Sequence, residues 1–551
     1  MQIERIETDV LIVGGGIAGL MSAIRARELG ADVIVAEKAN TLRSGDGGMG
    51  NDHFVCYIPE VHGPDIEPFV KKHSNNPRFR GMMMPEKFWR TRLEKSFEML
   101  KLWDSWGIPM KYKGRYEFSG HILPGQESTS MALRYSGRNQ KPVLTKQALK
   151  RGVKIVNRIM VIDLLVDDTI IGAIGLHARE NKIIEFRAKS VVLGTGECHM
   201  LYPGPTPGWL FNRRAMPALT GDGRAMAYRA GAELFNMEVV GKGAAGPKYF
   251  ARSGKGTWVG VVRDPEGKPI GPFVTKPHRI YGDPILDQYP ALFEEYEKSA
   301  KGPVYIDCSG ISDEDLEYQT HWLGNEGNLA LLNHLKEEKI DLRKNAIEFM
   351  RCGLSHGGGI LYNEKSETSV NGLYAAGGEY IPQISTAAAF GWIAGENAAI
   401  YAQEKASKND FTKAKGKIEE KSNLLDRVLG RETGATWQEA IIGLQQVMQD
   451  YAGTLRSEHL LTAGLRHLRK LREKAYETMA AKNQHELMHC MEVLNLFDIG
   501  ELVFVAAMER KESRGGHVRA DYPFTNPLLD KMLVCRNVDS NITTEWKERI
   551  N

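Results

Sequence analysis

Near its start the chain carries a continuous, mostly β-branched apolar run, Val10-Leu11-Ile12-Val13, the pattern of a strand covered on both faces of a parallel sheet. Glycines follow at 14, 15, 16 and 19, and apolar positions then recur at helical spacing through Leu20, Ala23, Ile24, Ala26 and Leu29 until Gly30 stops them. A second apolar run, Val33-Ile34-Val35, ends at Glu37. Strand, glycine turn, helix, strand and terminal acid in this register predict a βαβ dinucleotide fold. Bare glycine backbone at Gly14, Gly16 and Gly19 lets a diphosphate approach the free N–H groups of the helix, and Glu37 stands where a carboxylate accepts from ribose hydroxyls.

Later segments extend the same site. After Glu37-Lys38 comes a second glycine-rich stretch, Arg43-Ser44-Gly45-Asp46-Gly47-Gly48-Met49-Gly50-Asn51, whose amides could wrap a long cofactor; an NAD-only fold does not need it. Val191 to Gly196 reads as a returning strand and turn, Thr220 to Leu234 as a glycine-started helix, and Asn371 to Tyr380 as another strand ending in glycines. The cofactor expected is FAD, touched by Thr195, Gly196, Asp222, Glu379, Ser385 and Thr386 as well as by Lys38, Arg43, Ser44, Gly47, Gly48 and Asn51.

Length and composition narrow the class. The 551 residues exceed what one core normally supports, so two or three domains are expected. Lys and Arg number 72 against 69 Asp and Glu, which supplies no global reason to expect nucleic acid. Six cysteines lie far apart, with no CxxC and no zinc spacing, so the chain is expected to carry no metal centre of its own. No apolar run approaches a membrane span, and no secretory or twin-arginine pattern precedes the first strand; a cytoplasmic protein without a transmembrane segment is expected.

The motifs GGGIAG (14–19), RSGDGG (43–48), GTGE (194–197), TGDGRAMAYRAGAE (220–233), GLYAAGGE (372–379) and RKESRGGHVRADYP (510–523) together resemble the flavoprotein subunit superfamily of fumarate reductase, succinate dehydrogenase, L-aspartate oxidase and adenylylsulfate reductase. The resemblance implies an α/β fold. A Rossmann-like FAD-binding domain (1–238 and 350–410) would be interrupted by an α+β capping domain (239–349) and followed by a helical C-terminal domain (415–551). It also implies that the arginine-rich segment from Arg510 packs back on the active-site region.

Departures from the pattern bear on the substrate. Gly45 stands where the fumarate and succinate enzymes commonly carry the histidine that links FAD covalently, so FAD is expected to be non-covalent. The places of their dicarboxylate clamp read Gly241 to Ala244, Gly353 to His356 and Ser385 to Ala389, without the two cationic anchors a dicarboxylate needs. Phe250 to Gly256, Ser355 to Gly358 and the segment from Ser385 resemble the adenylylsulfate reductase α subunit more closely, and that resemblance makes Arg252 and His356 the catalytic candidates facing the flavin. Arg138 reverses a charge, standing where that family has a glutamate.

From Val239 to Arg263 there is no acidic residue. Lys242, Lys248 and Trp258 are therefore expected to bind an anionic small-molecule substrate, with Arg138, outside this segment, adding to the same field. The implied chemistry is a two-electron exchange at flavin N5. With no second GxGxxG for a nicotinamide and no metal motif, the resemblance implies a separate iron–sulfur subunit of ferredoxin type as electron partner. The alternatives are a fumarate-reductase-like enoate reductase or dehydrogenase and a non-catalytic electron-transfer flavoprotein.

Overall fold

A computed structural model describes residues 1–74, 85–119, 130–206, 209–213, 215–242, 245–248, 250, 257–271, 274–280, 283, 292–293, 295–296, 299–351, 353–379, 383–404 and 411–548. Its central sheet runs in the order Lys154–Asn157, Val33–Glu37, Gln2–Val13, Lys182–Leu193, Ile170–His177 and Ile159–Val166. The first four strands are parallel, and the short strand Leu373–Ala375 lies parallel beside the end of Lys182–Leu193. The last two strands are antiparallel.

The first strand is longer than its apolar run predicts. It begins at Gln2 because the twelve-residue strand Lys182–Leu193 supplies a ladder from Gln2↔Lys182 to Val13↔Leu193, and backbone pairing does not require apolar side chains. Only its inner end, Val10 to Val13, is buried. Helix Ile17–Glu28 and helix Ile384–Glu404 pack on one another and on this sheet, joined by the Ser22 hydroxyl, which donates to Gly391 O at 2.8 Å. Buried Ala388, Ala394 and Ala398 let the second helix lie close.

A separate hydrophobic cluster holds the middle of the chain together. It runs from Trp258 and Val259 through Val304, Ile306, Leu323 and Leu331 to Phe349, distinct from the core around the central sheet. Four antiparallel strands form its sheet, in the order Ala245–Pro247, Ile347–Arg351, Val304–Asp307 and Val261–Arg263, with helices Asp313–Glu326 and Leu329–Glu337 beside them. Below this unit the strand Val240–Lys242 pairs with Leu354–His356 and joins it to the main body.

Four helices, Thr412–Leu429, Trp437–Ala452, Glu458–Thr478 and Gln484–Glu509, make the C-terminal region, the last of them buried along most of its length. Thr436 and Glu439 close a reciprocal capping box at the start of the second. The region is not helical throughout. Met532–Val538 and Asn541–Lys547 form a hairpin, and the first of these strands pairs with Leu234–Phe235, which pairs in turn with Gly359–Ile360. No helix among the described residues is long and apolar enough to cross a membrane.

Candidate active site

The glycine turn is built as the spacing requires. Gly14 has φ of +94°, and a Cβ at Gly19 would lie 1.8 Å from Gly14 O, so the helix can approach the strand only with glycine at 19. Glu37 stands at the end of its strand; its Oε2 accepts from Gly15 N at 2.6 Å and its Oε1 from Ala39 N at 2.7 Å. On the other side of Gly15, the buried Lys141 donates to its carbonyl oxygen. Burial draws the Lys141 ammonium down to about 8, while Glu37 acts in the opposite direction. Sequence reasoning passed over Lys141; its signal was a lysine opening a helix in the segment Ser136 to Pro142.

The second glycine stretch forms a short turn, Asp46–Met49, where Gly47 O accepts from the Gln140 amide at 2.9 Å. Ser44 places a buried hydroxyl here without a partner. The Arg43 guanidinium donates to Arg138 O at 3.2 Å, and Gly48 N donates to Gly45 O at 2.9 Å. Asn51 Oδ1 accepts from His53 N at 2.9 Å.

Glu379 anchors the far side. Its Oε1 accepts from Thr195 N at 2.7 Å and from the Thr195 hydroxyl at 2.6 Å, while Oε2 is buried and unpartnered. Burial raises the carboxyl to about 7, against the opposing pull of Thr195 and Arg224. Next to it, the first turn of helix Ile384–Glu404 carries Ser385 and Thr386, both fully buried, with Thr386 Oγ1 unpartnered.

The residues present fit FAD. Ser44 Oγ, Glu379 Oε2 and Thr386 Oγ1 are buried polar atoms left without partners, and such atoms are costly unless a ligand completes them. The first two come from segments that the glycine motifs mark, and the third from the first turn of helix Ile384–Glu404. Gly45, at φ +71°, offers no nucleophile for a covalent link.

Two expected cofactor contacts, Lys38 and Asp222, are engaged by protein groups. Lys38 Nζ lies 2.8 Å from Asp222 and 2.5 Å from Glu492, and Asp222 also accepts from Thr220 and Asn495. Burial works against the Lys38 charge, but the two carboxylates outweigh it and raise its pKa. Lys38 and Asp222 are thus bound to one another, tying the dinucleotide fold to helix Gln484–Glu509.

His356 has both ring nitrogens engaged. Arg224 Nη1 donates to its Nδ1 at 2.8 Å, and its Nε2–H donates to Met237 O at 3.0 Å. Burial first, then the Arg224 charge, pushes the imidazole down to about 3, so it is neutral. In this arrangement neither ring nitrogen has a free lone pair or proton, so this catalytic candidate meets protein groups at both nitrogens. Arg224 also donates to Gly378 O at 3.0 Å, its Nε is buried without a partner, and no carboxylate among the described residues forms an ion pair with it. The strand Val240–Lys242 is backed by the C-terminal arginine segment: a Cβ on Gly516 would meet Val240 O at 1.9 Å, and Val240 pairs with His356.

Of the expected substrate contacts, Trp258 lies in the hydrophobic cluster at 2% exposure, edge-on to Phe349, and packs there instead of lining a cleft. Lys248 is paired with Glu348 at 2.6 Å and Arg263 with Asp307 at 2.6 Å, so part of the basic segment is neutralised by its own strands. Arg138 is exposed beside the second glycine stretch. Lys242 lies in the strand opposite Leu354. Arg252 lies outside the described residues.

His199 lies just past the GTGE motif, and no ligand spacing in the sequence singles it out. It is buried between Glu197 and Asp46, at 3.1 and 3.3 Å. Burial works against its charge, but the two carboxylates raise it to about 9, so a protonated imidazole joins the second glycine stretch to the turn after Gly196.

A family model described as an FAD binding domain matches residues 9–54 and 85–388, and one described as the fumarate reductase flavoprotein C-terminus matches 442–544. The chain belongs to the FAD-binding flavoprotein family that includes the fumarate reductase flavoproteins. It is an FAD-dependent oxidoreductase. One polypeptide of the fumarate reductase (CoM/CoB) of Methanothermobacter marburgensis is 25% identical over 556 residues, covering 96% of each chain. Among solved structures, adenylylsulfate reductase from Archaeoglobus fulgidus aligns with a TM-score of 0.87 at 20% identity, covering 100% of this chain and 97% of that one. Escherichia coli quinol fumarate reductase aligns at 0.81 and 19%, covering 100% and 98%.

Proposed function

We propose that this flavoprotein is the catalytic subunit of a cytoplasmic oxidoreductase related to the adenylylsulfate reductase α subunit. It acts on a small anionic substrate and exchanges electrons with a separate iron–sulfur subunit of ferredoxin type. The observation that carries the reading is the buried Arg224–His356 pair: a guanidinium held by a neutral imidazole, with no carboxylate partner among the described residues, beside Glu379. Positive charge so placed favours a substrate that is, or becomes, negative.

When bound, FAD supplies the two-electron chemistry. The chain's residues do the rest. Gly14, Gly16, Glu37, Ser44, Thr195, Glu379, Ser385 and Thr386 hold the cofactor. His356 orients Arg224 by accepting its Nη1–H, and Arg252, from the capping unit at 239–349, supplies the second cation. Support for an external electron partner comes from the cysteines: the five described are buried single thiols at no cluster spacing, which also fits a reducing compartment.

Turnover of the FAD-loaded chain with a reduced viologen donor tests the reading, across a monocarboxylic enoate, a dicarboxylic enoate and sulfite with AMP. Arg252→Ala is expected to lose turnover on the preferred anion by about a hundredfold or more. Electron flow to a redox protein partner that survives Arg252→Ala, with no anion turned over by the unaltered chain, would instead mark a relay protein.

A further inference from the structure

Helix Glu86–Ser105 packs against helix Ile384–Glu404 through Phe88, whose ring stacks on Phe390 at 4.3 Å. One turn further along it stands Arg92, with 0% exposure. Its Nη2 donates to the Gln383 side-chain oxygen and, at 3.3 Å, to Ser385 Oγ, the residues that open the second helix. Its Nε and Nη1 are buried without partners, and no carboxylate among the described residues pairs with it; one face rests on the Trp89 ring at 5.2 Å.

A buried guanidinium without a counter-charge is strongly unfavourable unless negative charge appears within its field. The described surroundings do not supply that charge. Burial works against the Arg92 charge, and the groups that favour it are the neutral Tyr362 phenol and Cys56 thiol. The Tyr362 hydroxyl is itself buried and unpartnered, as is Thr386 Oγ1, and Tyr362 lies within electrostatic range of both Arg92 and Glu379. Arg92 therefore stands behind the N-terminal turn of a 21-residue helix, where the backbone dipole is already positive. The two fields add at one place, the turn carrying Ser385 and Thr386.

We propose that Arg92 is a positioning residue for the flavin, acting through Ser385 and Gln383 to fix positive charge at that turn, so that the reduced, negatively charged cofactor is stabilised over the oxidised one. The proposal rests on the reading that Ser385 and Thr386 meet the cofactor. No group is transferred to Arg92; two electrons enter the cofactor, and the charge they bring is what Arg92 opposes.

The test is the two-electron midpoint potential of the FAD-loaded chain, measured against reference dyes, together with flavin content per chain. Arg92→Gln is expected to hold FAD and to shift the equilibrium at least tenfold toward the oxidised form, about 30 mV lower for a two-electron couple. Arg92→Lys, which keeps the charge, restores most of the potential. Full flavin content with an unchanged potential in Arg92→Gln overturns the proposal. Where Arg92→Gln does not fold, Ser385→Ala decides: a lowered potential supports the proposal, and an unchanged one overturns it. Failure of the underlying reading is seen separately, as an unaltered chain that takes up no flavin.

Discussion

Arg224 donates to His356 Nδ1 at 2.8 Å across 132 residues of sequence, and the imidazole Nε2–H in turn donates to Met237 O at 3.0 Å. The pair fixes a tautomer, and through it the direction of a guanidinium. Replacing Arg224 by Met removes the second cause of His356's low pKa and leaves burial as the first. The His356 pKa is then expected to rise from about 3 without reaching its ordinary value, and turnover to fall at least tenfold. Histidine NMR titration and steady-state rates check both; an unmoved His356 resonance between pH 3 and pH 6 would refute it.

The same imidazole makes stability depend on pH. Its folded pKa lies below its unfolded one, so its contribution is full above about 6.5 and is lost as pH falls toward about 3. His73, also held down to about 3 by burial and then by Arg92, and His517, lowered by burial and then by Arg456, add in the same direction. The urea midpoint should fall as pH drops below 6.5, and His356→Gln should flatten that slope.

Glu379 gives the opposite sign. Its carboxyl is raised to about 7 by burial, so its contribution is full below the ordinary glutamate value and is lost as pH rises through 7. Glu379→Gln is expected to raise the melting temperature of the cofactor-free chain at pH 8 and leave it nearly unchanged at pH 4. The same variant should bind FAD more weakly.

Lys38, an expected FAD contact, binds Asp222 and Glu492. Lys38→Met leaves two buried carboxylates without their cation and should cost about 3–5 kcal/mol of stability. Urea unfolding measures the loss. At temperatures where the variant is folded, flavin content should match that of the unaltered chain; a selective loss of FAD without loss of stability would return Lys38 to the cofactor.

Gly516 couples the C-terminal segment to the site. A Cβ there would lie 1.9 Å from Val240 O, so Gly516→Ala must push the segment off the strand that pairs with His356. Turnover is expected to fall about tenfold or more while flavin content holds, measured as rate per bound FAD.

What the chain determines by itself is what neighbouring residues can decide. Val10 to Val13, the glycines at 14, 16 and 19, and Glu37 lie within one βαβ unit, where period, steric freedom and backbone direction follow from local order. Ser44 and Glu379 could be proposed as cofactor contacts for the same reason, because each sits in a glycine-marked segment. Tertiary structure alone decided how charges were spent. Lys38 meets Asp222 and Glu492 from 184 and 454 residues away, and Lys248 meets Glu348 across a strand pair. Trp258 is taken into a core assembled from distant strands, and His199 becomes a cation only between Asp46 and Glu197. An ionisable or aromatic side chain carries no mark of its partner in sequence, since burial and Coulomb energy depend on distances that exist only after the chain has folded.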